Sequence, residues 1–323
     1  MKVFKGFNIE YPSYSVIAPQ SGDTFDVRCL TVSEVNELKH AGIIPSRASA
    51  ALNSVIWKAI KSKPDHIKTF EDFLNCVTIN DRASIVYGIY HSTFGDIKEF
   101  SLTCSSCGNT TPPNMKFSLD KMVRFNPYPQ SPNFQSSQKM AEAIEGTTEN
   151  QEEFLKQEGV KYVEDDNTLI STIENKANKE VKQEIQNQLV DILSKKVEKT
   201  LPISKIKVYI QQPTLKDESD LFDKMAFNNY EELDHVLQTL VINKFAYDSP
   251  SDGLIVVDGR DDIVTGYNSL PPQDRDIITD TYMEEFGKYR IDVGSKWICR
   301  NCQNENNFNI NIVQQFFRLV QSN

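Results

Sequence analysis

Two Cys-x-x-Cys pairs far apart in the chain, Cys104 with Cys107 and Cys299 with Cys302, constrain this sequence more than any other feature. Each pair is flanked by short stretches in which apolar residues alternate with polar ones. Phe100 and Leu102 precede the first pair, and Met115, Phe117 and Leu119 follow it; Trp297 and Ile298 precede the second, and Phe308, Ile310 and Ile312 follow it. Period-two alternation on both sides of a tight gap predicts a β-hairpin with two thiols at its tip. Two such knuckles facing each other supply four thiolates for one tetrahedral Zn²⁺ with bonds of about 2.3 Å. That arrangement is a zinc ribbon split by a long insertion, and it ties distant parts of the chain together.

The other cysteines and the charge balance fit this reading. Six cysteines in 323 residues is a low density, and the chain opens Met1-Lys2-Val3-Phe4-Lys5 without an apolar signal segment. A reducing compartment is therefore expected, where paired thiols bind metal more often than they form disulfides. Cys29 and Cys76 lie in apolar stretches and are expected as buried core thiols. No run approaches the roughly 18 apolar residues of a membrane span. A net charge of -10 argues against a broad nucleic-acid face, which is usually basic.

An internal duplication organises the chain. Phe25, Val27 and Cys29 alternate into Thr31 and Glu34; Ile206, Val208 and Ile210 alternate into Thr214 and Asp217. In both copies a threonine followed three residues later by an acid resembles a helix capping box. The apolar helix Leu52 to Ile60 is then matched with Val236 to Phe245. Asn80-Asp81-Arg82 opens a helix that stops at Phe94-Gly95, and Gln273-Asp274-Arg275 opens one that stops at Phe286-Gly287. Gly95 and Gly287 are both expected in the left-handed position after a helix, where the absence of Cβ removes a steric cost.

The fold expected is mainly α with small β-hairpins (α+β), in two related helical lobes joined by the split zinc ribbon. Residues 1–125 form the first lobe, 126–200 a linker and charged helical insert, and 201–323 the second lobe. Within the insert, Leu169, Ile173, Ala177, Val181, Ile185, Leu189, Ile192 and Val197 recur mostly at every fourth position. A helix over 168–199 with this narrow stripe offers a surface for self-association.

The sequence carries none of the common catalytic patterns. His40, His66, His91 and His235 are scattered, and neither a phosphate-binding glycine loop nor a Gly-x-Ser-x-Gly elbow occurs. Asp248, Asp252, Asp258, Asp261 and Asp262 lack the spacing of an EF-hand, so this acidic segment reads as a hairpin or connecting loop. A non-enzymatic protein is expected.

The Thr-capped helix, the apolar helix, Phe70 to Asn75, the run Asn80 to Tyr90, Phe94-Gly95 and then Cys104, Cys107 and Gly108 follow one another in a recognisable order. This order resembles the baseplate hub and hub-assembly proteins of T-even-type tailed bacteriophages, over about the first 120 residues and more weakly from Lys205 onward. The resemblance implies a structural or assembly protein of a contractile tail baseplate, with other baseplate and tail proteins as partners. It places the chain in the virion, or in the host cytoplasm during assembly. The alternative is a zinc-ribbon factor that contacts nucleic acid or the transcription machinery, for which Lys288, Arg290, Lys296, Arg300 and Arg318 supply positive charge.

Overall fold

A computed structural model describes residues 11–41, 44–95, 97–100, 102–110, 115–117, 122–131, 133–134, 160–161, 172–173, 195–224 and 236–322. In the first half, β1 (Ser13–Ile17) and β2 (Thr24–Arg28) form an antiparallel hairpin, followed by α1 (Val32–Ala41) and α2 (Pro45–Ala59). β3 (Ile60–Ser62) joins the free side of β2, and α3 (Phe70–Cys76) and α4 (Ile79–Phe94) follow. α4 lies directly on the β1–β2 hairpin. A Cβ at Gly88 would come within 2.5 Å of Val16 and 2.9 Å of Val27, so the close approach of helix and sheet requires glycine there.

The second half follows a similar order, with one helical turn at 236–238 as the described part of the position of α2. β9 (Lys196–Thr200) pairs with β10 (Lys207–Gln211), and α5 (Leu215–Lys224) follows. β11 (Ile242–Ser249) joins the other side of β10, and α6 (Arg260–Ser269) and α7 (Pro272–Tyr282) come next. The ladders even share an irregularity. The β2–β3 register shifts between Asp26 and Val27, and the β10–β11 register shifts between Tyr209 and Ile210, the same distance before Thr31 and Thr214 respectively. One element is extra: β12 (Gly253–Val257) pairs with β11 and gives the sheet order β12-β11-β10-β9, against β1-β2-β3 in the first half.

The chain is thus α+β and not mainly α, with three antiparallel sheets of three or four strands among the described residues. Each half is a sheet backed by helices, not a helical lobe. The apolar run Val236 to Phe245, matched by sequence to a helix, is a single helical turn, a 3₁₀ turn (Thr239–Val241) and the start of β11. A short apolar run is compatible with either structure, and Ile242, Phe245 and Ala246 are buried here by sheet packing. The helix expected over 168–199 falls mostly outside the described residues; β8 (Thr172–Ile173), paired with β7 (Val160–Lys161), and the start of β9 are strand. No described helix is long and apolar enough to cross a membrane.

The two knuckle regions complete the architecture. β4 (Ile97–Phe100) and β5 (Met115–Phe117) pair around the first two cysteines. β13 (Ile291–Ile298) and β14 (Glu305–Ile310) pair around the second two, and β6 (Val123–Phe125) adds to the far side of β13. The final helix α8 (Ile312–Ser322) returns to the first half. Its Ile312, Phe316 and Val320 are buried in the core with Phe25, Val27, Ile85 and Tyr90.

Candidate metal centre

The four cysteines singled out by spacing come together. Their Sγ atoms all lie within 4.8 Å of one another, with Cys104 to Cys302 at 3.6 Å and Cys107 to Cys299 at 3.7 Å. A tetrahedron with metal–sulfur bonds of about 2.3 Å has edges of about 3.8 Å, so the short contacts match the edges of a coordination sphere. Cys104 and Cys299 are buried, while Cys107 and Cys302 are exposed, each pair contributing one of each.

The two knuckles have the same backbone. The Cys104 N–H donates to Asn109 O at 2.8 Å and the Gly108 N–H to Cys104 O at 3.0 Å; the Cys299 N–H donates to Asn304 O and the Gln303 N–H to Cys299 O, both at 2.9 Å. Gly108 and Gln303 occupy the same left-handed position, with φ of 69° and 59°. Side chains bind the knuckles to each other. Asn306, from the second, accepts from the Ser105 N–H and hydroxyl at 2.9 Å each and directs its Nδ2 at Cys104 Sγ, 3.5 Å away. Asn301 Nδ2 lies 3.6 Å from Cys107 Sγ.

The electrostatics fit a cation. Backbone N–H groups of Cys107 and Ser106 draw the Cys104 thiol down to about 6, and the Asn109 N–H, with Asn301, lowers Cys107. The Asn304 N–H acts in the same direction on Cys302, but partial desolvation and the three neighbouring thiols together outweigh it and push that group up to about 11. Four sulfurs this close cannot all ionise alone, and a divalent cation between them removes the conflict. Four thiolates also complete a tetrahedron, with no position left for water. The arrangement supports a structural metal.

Other residues marked by sequence serve architecture. Both capping boxes form with matching geometry. Thr31 and Thr214 each donate an N–H at 2.8 Å and a hydroxyl at 3.0 Å to Glu34 and Asp217, and each hydroxyl accepts the acid's N–H at 3.3 Å. Asp81 accepts from the Gln20 and Ser21 N–H groups at 2.7 and 3.3 Å; Asp274 accepts from Ile203 and Ser204 at 3.0 and 2.8 Å. In each half the acid at the start of the last helix holds the turn of the first hairpin. Burial pushes Asp81 up to about 7, aided by Asp23 nearby. Burial also acts on Asp274, but there the two backbone donors outweigh it and the group is lowered.

The following arginines differ. Arg82 forms a buried, two-pronged ion pair with Glu218 of α5, its Nη2 lying 2.9 Å from Oε1 and its Nη1 also contacting Oε2. Asn53 accepts from Arg82 at 3.2 Å, and the Ser49 hydroxyl donates to Glu218 at 2.5 Å. Backbone pairing accompanies this contact, with the Leu215 N–H donating to Val77 O at 2.9 Å and the Ile79 N–H to Pro213 O at 3.2 Å. The second half has Arg275 over the Tyr267 ring, and Pro271 and Pro272 in place of Thr78 and Ile79. Glu218 was missed by sequence analysis, and an acid beside a capping box gives no signal of a partner so distant in the chain.

Several expectations require correction. Gly95 has a positive φ of 69° after α4, but its ψ of -138° lies outside the left-handed helical region, and Gly287 has no positive φ. It ends a π-helical turn (Met283–Gly287), where a Cβ would lie 2.6 Å from Met283 Sδ and 2.9 Å from the Tyr282 ring, so the glycine makes room for these side chains. Cys29 and Cys76 are half-buried, Cys76 packing against the first core, and burial pushes Cys76 up to about 11. His40 and His91 lie in helices, His66 Nε2 stands 3.2 Å from Asp23, and His235 lies outside the described residues. Among the described residues no histidine joins a metal-binding group. Of the basic residues near the second knuckle, Arg290 pairs with Asp292 at 2.9 Å and Lys296 with Glu305 at 2.6 Å. Comparison with protein-family models, curated proteins and solved structures finds no match to this chain.

Proposed function

We propose that the chain is a structural or assembly component of a contractile phage tail baseplate, in the hub region, whose two halves are clamped by one structural zinc. The observation that supports the clamp is the convergence of Cys104, Cys107, Cys299 and Cys302 from two knuckles, with all four sulfurs within 4.8 Å of one another. A set of four thiolates selects zinc or iron, and zinc is the redox-inert choice for a purely structural site. The baseplate assignment rests on the ordered resemblance over the first 120 residues. The motif residues that carry it, Asp81, Arg82 and Gly88, are spent on packing and hairpin support, which suits a protein acting through contacts with other proteins. The nucleic-acid reading is weaker because Arg290 and Lys296 are neutralised by acids on the same sheet.

Plasma mass spectrometry on protein purified without chelator should give one zinc per chain, and Cys299→Ser should lose it. Iron in that position, or no metal, would remove the zinc assignment. The baseplate assignment is tested separately by protein mass spectrometry of contractile-tail baseplates and their assembly intermediates from the same source. Presence in mature baseplates marks a structural component, presence only in intermediates marks an assembly factor, and absence from both rejects the assignment.

A further inference from the structure

The four-stranded sheet of the second half has two outer edges, and they are guarded differently. β9 carries Lys196, Glu198 and Lys199, charges of the kind that keep an edge from recruiting another strand. β12 carries no charge from Gly253 to Val257 and, among the described residues, pairs only with β11. Leu254 is 65% exposed and Val256 46%. The strand is also the element that the first half lacks, since β3 leads to α3 without a returning partner. β12 is therefore not needed for the repeated frame.

Its surroundings are acidic. Asp248, Asp252, Asp258, Asp261 and Asp262 bracket the strand, and the Ser249 and Ser251 hydroxyls hold Asp252 below the usual carboxylate range. Of the nearby cations, Arg260 donates to Thr239 O at 2.9 Å and Ile242 O at 3.2 Å, and Lys207 pairs with Glu198 at 3.1 Å. On the inner face of the same strands, an open hollow of about 290 Å³ is walled by Ile206, Phe245, Tyr247, Val257 and Leu270.

We propose that the free edge of β12 is a docking site for an extended strand of a partner protein, with alternating apolar residues between lysine- or arginine-bearing ends. Backbone pairing along β12 supplies the affinity, the apolar side chains of β12 and the hollow select alternate residues of the added strand, and the acids select its ends. Charge also argues against a second copy of this chain. Antiparallel pairing of β12 with itself, centred on Ile255, would set Asp252 opposite Asp258 at both ends, and like charges directly opposite are destabilising. This inference is independent of the metal, because β12 lies apart from the knuckles in the sheet order.

Fluorescence anisotropy on the full chain tests it, with a labelled peptide of alternating valine and threonine between lysine pairs. Saturable binding is expected, at least about tenfold tighter than for the same peptide with glutamate ends, and weakening as salt rises. Leu254→Lys and Val256→Lys, both at exposed positions, should reduce binding about tenfold while leaving the melting temperature unchanged. Equal binding by a lysine-ended peptide with prolines in its centre would reduce the site to charge alone and overturn the proposal. So would a failure to bind, or a concentration-dependent dimer abolished by Val256→Lys.

Discussion

The two halves share a frame and spend it differently. Both hold the first hairpin turn through an aspartate at the start of the last helix, and both cap the next helix with the same threonine–acid geometry. In the first half the next arginine reaches across to Glu218 and the backbone of 77–79 pairs with that of 213–215. In the second half the corresponding arginine stays at home over Tyr267, and two prolines occupy the pairing positions. Leu215, the first residue of α5, is fully buried against the first half, whereas Val32, at the same place in α1, is 79% exposed. The first half is thus a socket and the second a plug, and the duplication alone does not reveal which is which.

The sharpest test of equality is the proposed metal, for which each half would supply two ligands. Its binding free energy is on the order of 10 kcal/mol of folding energy. Cys107→Ser and Cys302→Ser should release it alike and match the melting loss caused by chelator. Unequal retention of metal would show that one knuckle holds it alone.

A smaller effect separates socket from plug. Arg82→Ala leaves Glu218 buried without a partner and should cost about 3–5 kcal/mol in denaturant unfolding. Arg275→Ala removes a ring contact and should cost about 1 kcal/mol. Equal losses would break the comparison. In the same assay Leu215→Ala should cost about 3 kcal/mol through the cavity it leaves, and Val32→Ala less than about 0.5 kcal/mol.

A third test is the dependence of stability on pH. Asp81 binds its proton more tightly in the folded chain than in the unfolded one, so its contribution to stability falls as pH rises from about 4 towards 7. Asp274 is lowered, so its contribution is present above about 4 and is lost as pH falls through its folded pKa. Between pH 5 and 7 the Asp81 term amounts to about 2 kcal/mol, and Asp81→Asn should remove it from unfolding curves measured at the two pH values. An unchanged slope would show that Asp81 is not its source.

Local signals were the legible ones. The Cys-x-x-Cys pairs, capping boxes and the repeated Asp-Arg dipeptide each act within a few residues of themselves, so their spacing carries their geometry. The four-cysteine site was legible for the same reason, because each hairpin tip is self-contained. What could not be read depended on context. Val236 to Phe245 is equally apolar as helix or strand, and only the free side of β10 decides it. Val197 extended an every-fourth-residue stripe, yet it lies on a strand opposite Ile210. Gly287 looked like a helix stop, but its lack of a side chain serves Met283 and Tyr282. Glu218 finds Arg82 only after both halves have folded.

Pro271 and Pro272 have a consequence for growth. A plug-and-socket contact between duplicated halves is head-to-tail, and such contacts propagate into rings or filaments when each unit offers a free copy of both parts. Here the plug of α5 fills the socket within its own chain. The site that would accept α1 of a neighbour lacks the amide that Ile79 donates, because proline has none. The duplication therefore favours self-termination: each molecule satisfies the α5 contact internally and leaves no equivalent donor at Pro272 for a neighbour.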